Sequence, residues 1–99
     1  MRTVWKYELP ITGDTLELPA GARIVHVASQ FGDPSLVTLW AEVDPNAPYE
    51  HRSFMVVGTG HPIAGGTEYC GSGIAMDGHL VWHVYEVVSI PAESSEARA

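Results

Sequence analysis

Apolar and polar positions alternate in short runs broken by Gly, Pro, Asn and Asp, and no segment holds a 3.6-residue period over three turns. From Thr3 to Leu9, Trp5, Tyr7 and Leu9 fall on one face and Lys6 and Glu8 on the other, the pattern of a half-buried strand. Pro10 stops this strand and Gly13-Asp14 turns the chain. Thr15 to Leu18 then offers a short second strand, placed to close a hairpin with the first before Pro19-Ala20-Gly21. The β-branched residues over Arg23 to Phe31 predict a third strand, closed by Gly32-Asp33-Pro34-Ser35. Leu36 to Val43 is the fourth, and the connection from Asp44 to His51 carries Pro45 and Pro48, which forbid a helix. Arg52 to Val57 reads as the fifth, with Phe54 and Val56 facing away from Ser53, Met55 and Val57. Glu68 to Ala75, broken by glycines around Cys70, is a sixth. Asp77-Gly78 is hairpin-turn chemistry before His79 to Ile90, expected as the longest and most apolar strand.

Six to seven short strands at roughly ten-residue spacing predict an all-β fold, an antiparallel sandwich or a small open barrel. The 99 residues fall in the range of one domain, assigned to 1–91. With 45% of residues hydrophobic, the chain can bury a core. Trp5, Trp40 and Trp82 are expected to anchor that core, with their N–H donors paired or at the surface. Lys6, Glu8 and the prolines are candidate guards of the sheet edges; unguarded edges would pair copies into a homo-oligomer. The small polar segment 92–99 has nothing to bury and is expected to be a disordered tail.

Charge narrows the choice of partners. Twelve acids against five Lys and Arg give a net charge of −7, repulsive to phosphate backbones and anionic headgroups, so neither nucleic acid nor membrane is expected to bind. No apolar run nears the ~20 residues of a membrane span, and no basic stretch leads into an apolar one, so the expected location is the cytoplasm. Cys70 is the single cysteine, which rules out an intrachain disulfide and reads as a small hydrophobe in a reducing compartment.

The most distinctive stretch is Val57-Gly58-Thr59-Gly60-His61-Pro62-Ile63. Two glycines flanking a hydroxyl residue let backbone N–H groups turn towards an anion, and the plainer alternative is a tight bend leaving the fifth strand. The dinucleotide fingerprint needs a following helix that this chain lacks, so no cofactor is expected. Five histidines, His26, His51, His61, His79 and His83, raise a metal reading that their spacing opposes. His79 and His83 share a strand face but lie ~13 Å apart, and no His-X-His pair exists, so no metal is expected. His83, inside Trp82-His83-Val84-Tyr85-Glu86, must be a hydrogen-bonded core histidine or face a pocket, with Glu86 on the opposite face. Gly71-Ser72-Gly73 lacks the pattern and scaffold of a nucleophile elbow, so no catalytic residue is assigned. The candidate ligand-binding residues are Gly58, Thr59, Gly60, His61 and His83.

Taken together, Val4-Trp5-Lys6-Tyr7, Leu39-Trp40-Ala41-Glu42-Val43-Asp44-Pro45, the Val57 to Ile63 run and Val81-Trp82-His83-Val84-Tyr85-Glu86 resemble a family of uncharacterised small proteins of actinobacteriophages and bacteria. The resemblance implies a genomic setting and no mechanism. In that setting the expected function is a non-enzymatic binding module that engages a host protein through an exposed face carrying an aromatic. Two alternatives are a binder of a small anionic, nucleotide-like ligand at the Gly58 to His61 turn, and a minor virion or assembly component.

Overall fold

A computed structural model describes residues 1–29, 33–75, 78 and 80–88, and their alternating sequence folds into seven strands. These are β1 (Thr3–Pro10), β2 (Asp14–Pro19), β3 (Arg23–Ala28), β4 (Leu36–Val43), β5 (Tyr49–Gly58), β6 (Thr67–Ala75) and β7 (Leu80–Val87). They form two antiparallel sheets, β1-β4-β3 and β2-β5-β7-β6, stacked as a sandwich and not closed into a barrel. The tail at 92–99, Phe31, and the Asp77 and His79 flanks of the last turn lie outside the described residues.

The core lies between the sheets. Leu9, Val37, Leu39, Ala41 and Val43 enter it from β1 and β4, Val27 from β3, Leu18 from β2, and Phe54 and Val84 from β5 and β7. Two glycines of β6 let the sheets approach. A Cβ on Gly71 would lie 2.7 Å from Val27 Cγ2, and one on Gly73 would lie 3.0 Å from the backbone between Ala28 and Ser29. At one end of the sandwich Arg52 reaches Glu86 through two hydrogen bonds, 2.6 and 2.8 Å, and donates a third to the Ala22 carbonyl. Hydrogen bonding to Glu86 holds the guanidinium above its ordinary value against the desolvation that burial imposes.

Several expectations change. β1 and β2 do not form a hairpin, because β1 pairs with β4 and β2 crosses to the other sheet to pair with β5. The chain re-enters the sheet at Tyr49 instead of Arg52, since Pro48 can precede a strand and Tyr49 to His51 supply the partners of β2. That makes β5, with ten residues, longer than the eight of β7. Only Trp5 and Trp82 pack against the core; Trp40 faces outward from β4, with its ring 5.2 Å from that of His26. The Trp82 Nε1 hydrogen is neither at the surface nor paired with an acceptor among the described residues. No helix among those residues is long and apolar enough to cross a membrane.

Candidate functional site

Strand register assigns a face to every side chain of the four-stranded sheet, because successive residues point to opposite sides. Phe54 pairs with Glu86 and Val56 with Val84, and these point into the sandwich. Met55 beside Tyr85 and Val57 beside His83 therefore point out. β6 supplies Tyr69 next to Tyr85, Ser72 next to His83 and Ile74 next to Val81. Tyr69 and Ser72 are three apart, an odd spacing for one face, and they share it because a bulge at Cys70 inserts one extra residue between them. Where β5, β7 and β6 pair, the outer face carries Ser53, Met55, Val57, Thr67, Tyr69, Ser72, Ile74, Val81, His83, Tyr85 and Val87, with no Asp, Glu, Lys or Arg among the described residues; beyond it, where β5 pairs with β2, the face continues into Tyr49 and His51, whose Nε2 lies 3.4 Å from Glu17. The outer face of the other sheet differs: Glu42 of β4 pairs with Arg2 at 3.5 Å and Arg23 at 3.6 Å, and Lys6 and Glu8 lie alongside.

The connection from β5 to β6 folds over one end of this uncharged face. Gly58-Thr59-Gly60-His61 is a turn closed by the His61 N–H donating to the Gly58 carbonyl at 3.0 Å. Gly60 has φ +90°, the left-handed value a type II turn needs at its third residue. Gly58 also has a steric reason to be glycine, since a Cβ there would sit 3.3 Å from His61 Nδ1. Further along, the Thr67 hydroxyl donates to the Ala64 carbonyl and the Val88 N–H to Gly66, fixing the connection back onto the sheet.

Between this turn and β7 lies a concavity of about 200 Å³, lined by Val57, Gly58, Thr59, Gly60, His61, Ile63, His83 and Tyr85. All five residues singled out from the sequence meet here. Gly58, Thr59 and His61 also border a neighbouring hollow of about 270 Å³ against Leu80, Val81 and Trp82. The Val57 to Ile63 stretch thus both turns the chain and lines a hollow. One backbone N–H that an anion would have used, that of His61, is taken by the turn itself.

His83 is no core histidine. It lies half-buried on the outer face with both ring nitrogens engaged, Nε2 2.9 Å from Thr59 Oγ1 and Nδ1 2.8 Å from Ser72 Oγ. Ser72 Oγ is in turn 2.6 Å from the Tyr69 hydroxyl, so four side chains from three segments form one hydrogen-bonded chain. Tyr69 and Tyr85 meet edge to face, with centroids 5.5 Å apart at 60°, and Tyr69 is 60% exposed. Ser72, Tyr69, Tyr85 and Ile63 were missed as site residues. Ser72 stood out only for its neighbouring glycines, and the odd spacing that joins it to Tyr69 hides in a bulge that a single strand does not reveal.

Chemically the cluster is a hydrogen-bonding surface. A hydroxyl next to an imidazole has the spacing of a nucleophile and base, but the group orienting the ring is Ser72, not a carboxylate. Glu86 faces the opposite way and is engaged by Arg52. Cys70 borders a different hollow, with Arg52, Glu68 and Glu86, where burial raises its thiol to about 11. Among the described residues no three of His, Cys, Asp and Glu come together as a metal site.

Comparison with known proteins adds little beyond kinship. No curated protein and no solved structure matches the chain. A family model described as a domain of unknown function (DUF7352) matches residues 1–94, nearly its whole length, and the chain belongs to that family.

Proposed function

We propose that this chain is a non-enzymatic binding module whose working surface is the outer face of β5, β7 and β6. The observation that carries the reading is that, where these three strands pair, no Asp, Glu, Lys or Arg stands on that face among the described residues, in a chain of net charge −7. Interface centres are depleted in charge and enriched in Tyr and Met, and here Tyr69, Tyr85 and Met55 occupy adjacent positions with Ile74 63% and Ile63 51% exposed nearby. The exposed aromatic of this area is thus Tyr69, packed edge to face on the half-buried Tyr85; Trp40 sits half-buried on the charged face. The partner is a protein, a host protein where the chain is phage-encoded.

A photo-crosslinking residue at position 69, with a control at position 4, tests this in lysate of the cell that makes the chain. Val4 is a fit control because it is 51% exposed on the opposite sheet. The reading expects one defined adduct from position 69, lost on adding Ile74→Glu, and none from position 4. Equal adducts from both positions, or none, would refute it.

A second reading, a small anionic ligand in the concavity, is favoured by Thr59, His61 and His83 lining the same hollow. Its volume lies below the ~300 Å³ at which ordinary ligand pockets begin, so a fragment would enter and a whole nucleotide would not. Thermal denaturation with a panel of small anions tests it, since saturation at 100 times the dissociation constant adds about 2.7 kcal/mol.

A further inference from the structure

The hydrogens around His83 decide what the concavity is built to receive. A neutral imidazole has one N–H and one bare nitrogen, and both nitrogens here meet hydroxyls, each able to donate or accept. With the hydrogen on Nε2, donation runs from Tyr69 to Ser72, from Ser72 to Nδ1 and from Nε2 to Thr59 Oγ1. The Thr59 hydrogen is then free for the concavity. With the hydrogen on Nδ1 the direction reverses, Thr59 donates to Nε2, and the last hydrogen points outward from Tyr69. If the ring is protonated, both nitrogens donate, and Thr59 again offers its hydrogen to the concavity. Two of the three states present a donor there, and Thr59 and His83 are the members of the chain that line the hollow.

The rest of the lining agrees with a donor site. His61 borders the hollow, with its ring against Gly58, and no Asp or Glu does among the described residues, in a chain with twelve acids. Val57, Ile63 and Tyr85 supply apolar walls. A phosphate calls for Lys, Arg or several converging backbone N–H groups. Among the described residues neither Lys nor Arg lines the hollow, and the His61 N–H is occupied. A singly charged acceptor of a few heavy atoms fits both the donors and the volume of about 200 Å³.

We propose that this concavity seats a carboxylate, which accepts from the Thr59 hydroxyl and the His61 ring, while His83, Ser72 and Tyr69 act as positioning residues that direct the Thr59 hydrogen inward. This rests on the outer face being a binding surface. It names the group a partner presents there: an Asp or Glu side chain among apolar neighbours, or a free small carboxylate.

The test uses the full chain with ¹⁵N-labelled histidine at about pH 9, above the ordinary imidazole range, where the ring nitrogens report the tautomer directly. Acetate, a capped Leu-Glu-Leu peptide and inorganic phosphate serve as probes. Saturable movement of His83 to the Nε2–H tautomer with acetate is the expected result. Thr59→Val should weaken acetate by roughly tenfold or more, the loss of one hydrogen bond to a charged group, and Thr59→Ser should restore it. Ser72→Ala, which removes the hydroxyl at Nδ1, should change the tautomer of the ligand-free ring and weaken acetate, while the bound ring stays Nε2–H because Thr59 requires it; a merely structural serine would leave the free tautomer unmoved. Tighter binding of the peptide than of acetate, lost in Tyr69→Glu, assigns the carboxylate to a partner's side chain; equal affinities assign it to a free acid.

No response to acetate, a shift to the Nδ1–H tautomer, or a response to phosphate alone would overturn the proposal. Its failure is separable from that of the binding face. If acetate does nothing while position 69 still crosslinks, the carboxylate is wrong and the face stands; saturable acetate binding without an adduct means the reverse.

Discussion

At the residue scale the chemistry of the inner face follows from burial. Burial holds the Cys70 thiol at about 11 against an ordinary 9.0, so at pH 8 its thiolate fraction is about a hundredfold below that of a free cysteine. Iodoacetamide should therefore label Cys70 about a hundredfold more slowly than it labels the unfolded chain, with the rate rising about tenfold per pH unit. Because the folded value is the higher one, the neutral thiol's contribution to stability is complete below pH 9.0 and is lost as pH rises towards about 11. Arg52 and Glu86 are only 17% and 15% exposed at their side chains, and the Arg52 guanidinium carbon lies 6.0 Å from the Phe54 ring centre. Arg52→Met leaves a carboxylate uncompensated and should cost about 2–4 kcal/mol in urea unfolding, whereas Arg52→Met with Glu86→Leu should return to within about 1 kcal/mol of the parent. The turn from Gly58 to His61 and the outward face of His83 could be read from the sequence because turn chemistry is local and strand alternation fixes His83 against Glu86. Ser72 could not, because its partner lies eleven residues away across a bulged pair.

At the scale of elements, seven runs of alternating residues matched seven strands because the period-two signal and its Gly and Pro punctuation are properties of short segments. Pairing is not. The Gly13-Asp14 turn is as good a hairpin signal as any in the chain, yet β1 and β2 part into different sheets because each completes a buried surface elsewhere: Leu9 beside Val37, Leu18 in the core through β5. Gly71-Ser72-Gly73 shows how the same residues carry a second meaning once the sheets stack. The glycines admit β3, and Ser72 between them must point out. Gly73→Ala would force a methyl against the Ala28–Ser29 backbone at 3.0 Å, which has no flexible end to yield, and should destabilise by about 1–3 kcal/mol. Gly60→Ala meets no atom within 4 Å yet must hold φ +90°, so its cost of about 1–2 kcal/mol arises from the backbone alone. Urea unfolding of both variants checks the two mechanisms. Gly60→Ala should also disturb His83 through Thr59, whereas Gly73→Ala should leave the spectrum of the Gly58 to His61 turn in place.

For the whole molecule, total charge was legible and its distribution was not, since placing an acid on a face requires the register of its strand. Among the described residues no Asp, Glu, Lys or Arg stands on the outer face where β5, β7 and β6 pair, in a chain of net charge −7, so two effects of opposite range meet when an acidic partner docks. At long range the net charge repels, over about 30 Å at 0.01 M salt but only about 8 Å at 0.15 M. At contact the face is neutral, and its hydrogen bonds and apolar burial are little screened. Association with an acidic partner should therefore quicken as salt rises over that range, while dissociation stays constant within about twofold, the reverse of the usual salt dependence of a charged interface. Stopped-flow mixing of the chain with the partner crosslinked at position 69 measures both rates. Val4→Lys, which reduces the net negative charge from the opposite sheet, should raise the association rate at low salt and leave dissociation unchanged. Tyr69→Glu should act in the other sense on both, slowing encounter and, by placing a charge within the docking area, hastening release. If low salt instead speeds association, a basic surface of the partner is being drawn to the carboxylates of the molecule, and the uncharged face is not where the partner sits.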